Sequence, residues 1–182
     1  PGATVLEEFR SVTARRLADL RSWPTARFDE PGPSPVGVVP YREFMAVRVM
    51  DSWVHEQDMR VATGRPGHDH GPAAELSLGR LVSAMPFVVG KQARAPEGSS
   101  VRFELAGPLA RRLDVAVRQG RAAVVDDLGG PPSATVRLDT EVFWRLACGR
   151  VTGAAARHAG LVAIEGDAAL GASVVDAMAF MI

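Results

Sequence analysis

Apolar positions recur with a helical period through the first half of the chain and with a period of two through much of the second. From Thr4 to about Ser22, Val5, Leu6, Phe9, Val12, Leu17 and Leu20 fall at helical spacing, while Glu7, Glu8, Arg15 and Arg16 lie mostly on the other side. This predicts an amphipathic helix that Pro24 ends. Trp23 to Pro40 is broken repeatedly by proline and reads as a loop, either a plain crossover between helices or a segment that lines a site. Tyr41 to Gly64 reads as one long helix. GRPGHDHGP, Gly64 to Pro72, then interrupts the chain, and Pro72 suits the first turn of the next helix. Ala73 to about Ala93 predicts this third helix with Leu76, Leu81, Ala84 and Val88 as its buried stripe, kinked or cut short by Pro86. No strand pattern precedes residue 95, so the first half is expected to be all-helical.

The texture changes at ARAPEGSS, Ala93 to Ser100, which places a domain boundary there: residues 1–94 as a helix bundle and 95–182 as a second domain. VRFEL, RLDVAVRQ, RAAVV and ATVRL alternate as strands do. Gln119-Gly120 predicts a hairpin turn, and LGGPPS, Leu128 to Ser133, another. Asp139 or Thr140 is placed to cap a helix through TEVFWRLACG, with Gly149 at its end. A short helix, TGAAARHA, precedes a strand, LVAIEG, and Asp167 caps the last helix, AALGASVVDAMAFM. Strands followed by helices with one inserted strand make an α+β pattern, expected to hold an antiparallel sheet.

Composition narrows the function classes. The chain has 182 residues, of which 47% are hydrophobic and only 6% aromatic, so the core must rest on Ala, Val and Leu. Twenty-one basic and twenty-one acidic residues cancel, which argues against nucleic acid or an anionic membrane as a partner. The single cysteine, Cys148, rules out an intrachain disulfide and fits a reducing cytoplasm. No apolar run is expected to reach the length of a membrane span, and no signal peptide opens the chain. Pro1 has no preceding Met and an amphipathic helix begins almost at once, as if an earlier segment were absent; a Met removed before Pro is the alternative.

The densest chemistry is DSWVHEQDMR within the second helix. Asp51, His55 and Asp58 follow at steps of four and three, on one stripe, with Val47 and Val54 on or beside it. A carboxylate and an imidazole four apart lean the same way and can hold one ion, but they supply two donors where a zinc site needs at least one more. Asp58 is then a third ligand or the partner that orients His55. The alternative is an Asp–His hydrogen bond with Asp58 paired to Arg48 or Arg60. His68 and His70, flanking Asp69 in the Gly/Pro loop, read as solvated, although His70 would approach the metal if the loop folds back. His158 reads as a surface or cap residue. Cys148 lies in an apolar helical segment and reads as a buried, unreactive thiol. Arg145 and Arg150 flank it; either an arginine there holds a carboxylate or it simply suits a helix C-terminus. No P-loop, GxSxG or GxGxxG fingerprint occurs.

Two stretches together resemble a known family. FMAVRVMDSWVHEQDMRVATGRPG resembles the helix motif of the mycothiol-dependent maleylpyruvate isomerase family, whose N-terminal domain is a damage-inducible-protein-like four-helix bundle. ATVRLDTEVFWRLACGRVTGAAARHAGLVAIEGDAALG resembles that family's C-terminal domain, which is similar to sterol carrier proteins. The resemblance covers nearly the whole chain from about Val5. It implies a divalent metal, usually zinc, held by an acidic residue and a histidine four apart plus a histidine from the first bundle helix. Asp51 and His55 match the first two positions, with Asp where the isomerase has Glu. The third ligand is expected upstream of Pro1, so three of the four bundle helices are expected here, and a separate N-terminal segment would complete the bundle.

What the resemblance implies about function is a metal-dependent enzyme that uses the thiol of mycothiol, as an isomerase or thiol transferase acting on a small electrophile. Asp51 and His55 are the implied ligands, Asp58 supports them, and Arg150 is a candidate carboxylate binder. The alternative from another class is a non-catalytic scaffold or regulator that binds a metal or a small ligand.

Overall fold

The computed structural model describes residues 2–34 and 37–181. They fall into two compact units, Pro1–Arg48 and Val49–Ile182. In the first unit, α1 (Gly2–Ser22) has no buried residue, and its apolar stripe stands open, with Phe9 67% exposed. The unit packs instead through aromatic rings. Trp23 stacks on Phe28 and Tyr41 with centroids 5.7 and 5.1 Å apart, and Tyr41 meets Phe44 at 5.8 Å. The Arg27 guanidinium lies 3.8 Å above the Trp23 ring, a cation–π contact.

The stretch expected to be a strand-free loop contains a 3-10 turn, Thr25–Asp29, and a small antiparallel ribbon, β1 (Pro31–Ser34) with β2 (Gly37–Pro40). The prolines that argued against a helix are the reason. Each fixes φ in the extended range, and a two-stranded edge tolerates the lost N–H donors. Gly37, at φ +104°, supplies a conformation that other residues rarely adopt. The helix α2 (Tyr41–Thr63) starts in this unit and ends in the next.

The second unit is built on a five-stranded sheet: β3 (Ser100–Ala106), β4 (Arg111–Arg118), β5 (Arg121–Val125), β6 (Ala134–Asp139) and β7 (Val162–Gly166). Its order is β5-β4-β3-β6-β7. The expectation of an antiparallel sheet is corrected at one ladder, because β3 and β6 run parallel. The β4–β5 hairpin occupies one side of β3, so the chain must cross to the other side, where it runs in the same direction as β3. The hairpin turns at Gln119 and Gly120, both with positive φ (54° and 72°), as a primed turn requires.

One face of the sheet is apolar. Val101, Phe103 and Leu105 on β3, with Val136 and Leu138 on β6, are buried in a single core cluster. The residues between them, Arg102, Glu104 and Arg137, point to the other face and pair there with charged partners. That alternation is what a sheet covered on one side only demands. The helices α3 (Pro72–Ser83), α5 (Thr140–Ala147), α6 (Gly153–His158) and α7 (Ala168–Asp176) add side chains to the same core. Thr152 and Asp167 cap α6 and α7 by accepting from Ala155 N at 3.2 Å and Leu170 N at 2.9 Å.

The third predicted helix is interrupted as Pro86 requires. α3 ends at Ser83, α4 is the short piece Met85–Phe87, and Val88–Gln92 is a π-helical turn. Leu76, expected in the buried stripe, is 37% exposed; Ala74, Leu78, Leu81, Met85, Val88 and Val89 are the buried set. The break after Ser83 shifts which residues face the sheet. By length and hydropathy Pro72–Gln92 would also suffice to cross a membrane, contrary to expectation, but its buried residues belong to the core shared with the sheet. The unit boundary inside α2 reflects this sharing. Met50, Trp53 and Val54 lie in the same cluster as the strands, and the textural change at Ala93–Ser100 immediately precedes the sheet.

Candidate functional site

Asp51, His55 and Asp58 lie side by side on α2, as the spacing predicts. His55 Nε2 is 3.5 Å from Asp51 Oδ1, its Nδ1 is 3.6 Å from Asp58 Oδ2, and the His55 side chain is 64% exposed. The partner of Asp58 is neither Arg48 nor Arg60. Arg150, just beyond α5, grips both oxygens, Nε donating to Oδ1 at 3.1 Å and Nη2 to Oδ2 at 2.7 Å. Those hydrogen bonds hold the Asp58 carboxyl below its usual range, against the opposing effect of partial burial. Arg150 does hold a carboxylate, then, but it is the chain's own. It also donates to the carbonyl of Cys148. Arg60 pairs with Glu56 at 2.8 Å.

The remaining candidates are not gathered there. His68 Nδ1 meets Glu56 Oε2 at 2.8 Å and His70 Nδ1 meets Asp69 Oδ1 at 2.9 Å. His158 is exposed at the end of α6. Cys148 is buried, and burial pushes its thiol up to about 11, the nearby Arg150 offsetting only part of the effect. Among the described residues, no group of three or more His, Cys, Asp or Glu side chains is placed to hold a metal ion. Asp51 and His55 are of the right chemistry for two donors, an oxygen and an imidazole nitrogen on one exposed face. Asp58 gives both oxygens to Arg150, and its Oδ2 lies 3.6 Å from His55 Nδ1.

A second feature has no counterpart among the sequence motifs. On another face of α2, Trp53, Gln57, Arg60 and Val61, with Gly64 just beyond the helix, line a cavity of about 410 Å³. Its other walls come from the loop before α3, from Leu78 on α3, from the β3–β4 turn at Gly107–Leu109, and from the start of α5. Trp53 and Trp144 meet edge to face in its wall, centroids 5.8 Å apart. Trp53 Nε1 and Gln57 Nε2 both donate to the carbonyl of His68, at 2.8 and 3.0 Å, which pins the loop against α2. The walls come from segments far apart in the chain, so no local pattern announces the cavity. The only sequence signal was two tryptophans in a chain poor in aromatics.

No curated protein matches the chain significantly. Among solved structures, sterol carrier protein 2 like 2 from Aedes aegypti is similar over 55% of this chain and 94% of its own, at 17% identity and a TM-score of 0.43. Sterol carrier protein 2 from Yarrowia lipolytica, in its apo form, is similar over 57% of this chain and 88% of its own, at 9% identity and a TM-score of 0.43. A sterol carrier protein domain of Helicoverpa armigera is similar over 62% and 92%, at 17% identity and a TM-score of 0.42. Family models are more telling. That of the mycothiol maleylpyruvate isomerase N-terminal domain matches residues 1–60, which include Asp51, His55 and Asp58. That of the MDMPI C-terminal domain matches residues 75–173, more than half of the chain, including the whole sheet and Arg150. With both domains matched in order and the carboxylate–imidazole pair of α2 inside the first, the chain belongs to the mycothiol maleylpyruvate isomerase family.

Proposed function

We propose that the chain is a mycothiol-using isomerase or thiol transferase acting on a small electrophile, with Asp51 and His55 as two donors to a divalent metal, zinc by their chemistry. The observation that carries this reading is the exposed Asp51–His55 pair on α2, within a chain that matches both domains of the family. A metal held there would lower the pKa of a thiol bound to it and so favour the thiolate. Asp58, kept ionised by Arg150, faces His55 Nδ1 and holds the imidazole with Nε2 toward Asp51. Arg150 thus serves as a positioning residue through Asp58. The chain's own thiol does not compete, because Cys148 is buried and protonated at neutral pH.

The test tracks mycothiol consumption with maleylpyruvate and with a simple aryl halide electrophile. The wild-type chain is expected to accelerate one of these reactions. Asp51→Ala and His55→Ala should each lose about a hundredfold or more, the usual scale for removing a group that touches the reacting centre. Cys148→Ser should retain the rate. Loss of activity in Cys148→Ser, with Asp51→Ala and His55→Ala unaffected, would overturn the reading. A chain that binds ligand in its cavity without consuming thiol would support the non-catalytic alternative.

A further inference from the structure

The apolar stripe of α1 stands uncovered among the described residues. Val5, Leu6, Phe9, Val12 and Leu17 are between 44% (Leu17) and 67% (Phe9) exposed, and no residue of the helix is buried. From Val5 to Leu17 the stripe runs about 18 Å along one helix, a contiguous patch of the kind that marks a docking surface rather than scattered apolar side chains. It belongs to an anchored element, since Arg16 donates to the Tyr41 hydroxyl and lies over the rings of Trp23 and Tyr41. A helix gains most of its stability by packing an amphipathic face, and α1 has nothing of its own chain on that face.

The charges along α1 decide what covers it. Glu8 and Arg15, two turns apart, border the Val5–Val12 side of the stripe, while Leu6 and Leu17, three turns apart, form its other side. An ion pair on one helix needs a partner three or four residues away, and about 10 Å of axis separates Glu8 from Arg15. Among the described residues neither side chain makes an ion pair or hydrogen bond, even though Asp19 stands four residues beyond Arg15. A second copy of α1 laid antiparallel on the first serves both. The register that sets Leu6 opposite Leu17 also sets Glu8 opposite Arg15, because both pairs are centred between Ser11 and Val12. A parallel arrangement would set Glu8 against Glu8 and Arg15 against Arg15, so it is disfavoured. A lipid surface fits less well, since interfacial helices carry a basic polar face and this one mixes Glu7, Glu8 and Asp19 with its arginines.

We propose that α1 is the interface of a twofold homodimer, packed antiparallel against α1 of a second copy of this chain. Each apolar pair and each Glu8–Arg15 pair then occurs twice, as a closed isologous contact requires. Phe9 and Val12 lie near the twofold axis, where a large aromatic side chain contributes most to binding. The assignment is independent of any metal at Asp51 and His55.

The test is sedimentation equilibrium of the whole chain, with native mass spectrometry of mixed variants. Wild type is expected to form a dimer whose share rises with concentration and that grows no further. Phe9→Asp should remove it. Glu8→Arg and Arg15→Glu should each weaken it by about tenfold in Kd, since an exposed pair becomes a repulsion at two places. Mixing those two variants should restore pairing as a heterodimer, because each then meets an opposite charge at both positions; only an antiparallel contact does this. Asp51→Ala should leave the dimer unchanged. Circular dichroism melts verify folding, and the two charge variants, altered only at exposed positions, carry the test should Phe9→Asp unfold. Flotation with phosphatidylglycerol vesicles reads the lipid alternative. A monomer at every concentration, with or without vesicle binding, a dimer that all three α1 variants leave intact, open-ended aggregation, or a mixture that forms no heterodimer would overturn the assignment.

Discussion

Cys148 shows how far one residue's surroundings decide its chemistry. Its apolar helical segment, FWRLACG, reads as one that buries an unreactive thiol, although Arg145 and Arg150 flank it. Burial wins over the positive charge of Arg150 and pushes the thiol up to about 11. The folded chain thus resists forming the thiolate, while an unfolded cysteine ionises at about 8.5. The stabilisation from the protonated thiol is complete below that lower value and is lost as pH rises toward the upper one. Labelling by a thiol reagent at pH 8 is expected to be about a hundredfold slower in the native chain than in urea, and unfolding free energy should fall above pH 9 in wild type but not in Cys148→Ser. Fast native labelling would contradict the burial argument. At the same scale, the closeness of Asp51, His55 and Asp58 was legible, because helical periodicity alone brings them together. Arg150 as the partner of Asp58 was not, since the two are 92 residues apart and only the fold joins them.

Elements were legible where the pattern was local. Every strand of the sheet, the hairpin at Gln119-Gly120 and the cap at Asp167 come from short-range chemistry, and Pro86 breaks its helix as a proline must; the side-chain cap expected at the start of α5 is not made. Strand direction was not legible, because the parallel pairing of β3 with β6 depends on how the intervening hairpin is placed. The β1–β2 ribbon was missed because proline-rich sequence reads as a loop whether or not its extended segments pair. The β3–β4 ladder also carries a polar lock that periodicity does not specify. Asp114, 4% exposed, sits opposite Arg102 and accepts from it at 2.7 and 2.9 Å. Asp114→Asn should lower stability by about 2–3 kcal/mol, somewhat less than for a fully buried pair because Arg102 keeps some contact with water. Denaturant melts at neutral pH measure this, and a change below about 0.5 kcal/mol would show that the pair is replaceable.

At the scale of the whole molecule, two features are set by long-range packing. The second unit draws the end of α2 and all of α3 into one core with the sheet, and the compact unit begins at Val49. The same packing encloses the cavity between Trp53 and Trp144, whose walls no single stretch contains. It leaves Asp51 and His55 on an exposed face of α2. The central claim is that this pair binds a divalent metal that serves thiol chemistry. Its most direct test is the metal content of the purified chain after desalting at neutral pH, measured by plasma mass spectrometry for wild type, Asp51→Ala and His55→Ala. The account predicts a divalent metal, chiefly zinc, retained by wild type and reduced to background in both variants. Wild type at background, or undiminished metal in both variants, would contradict it.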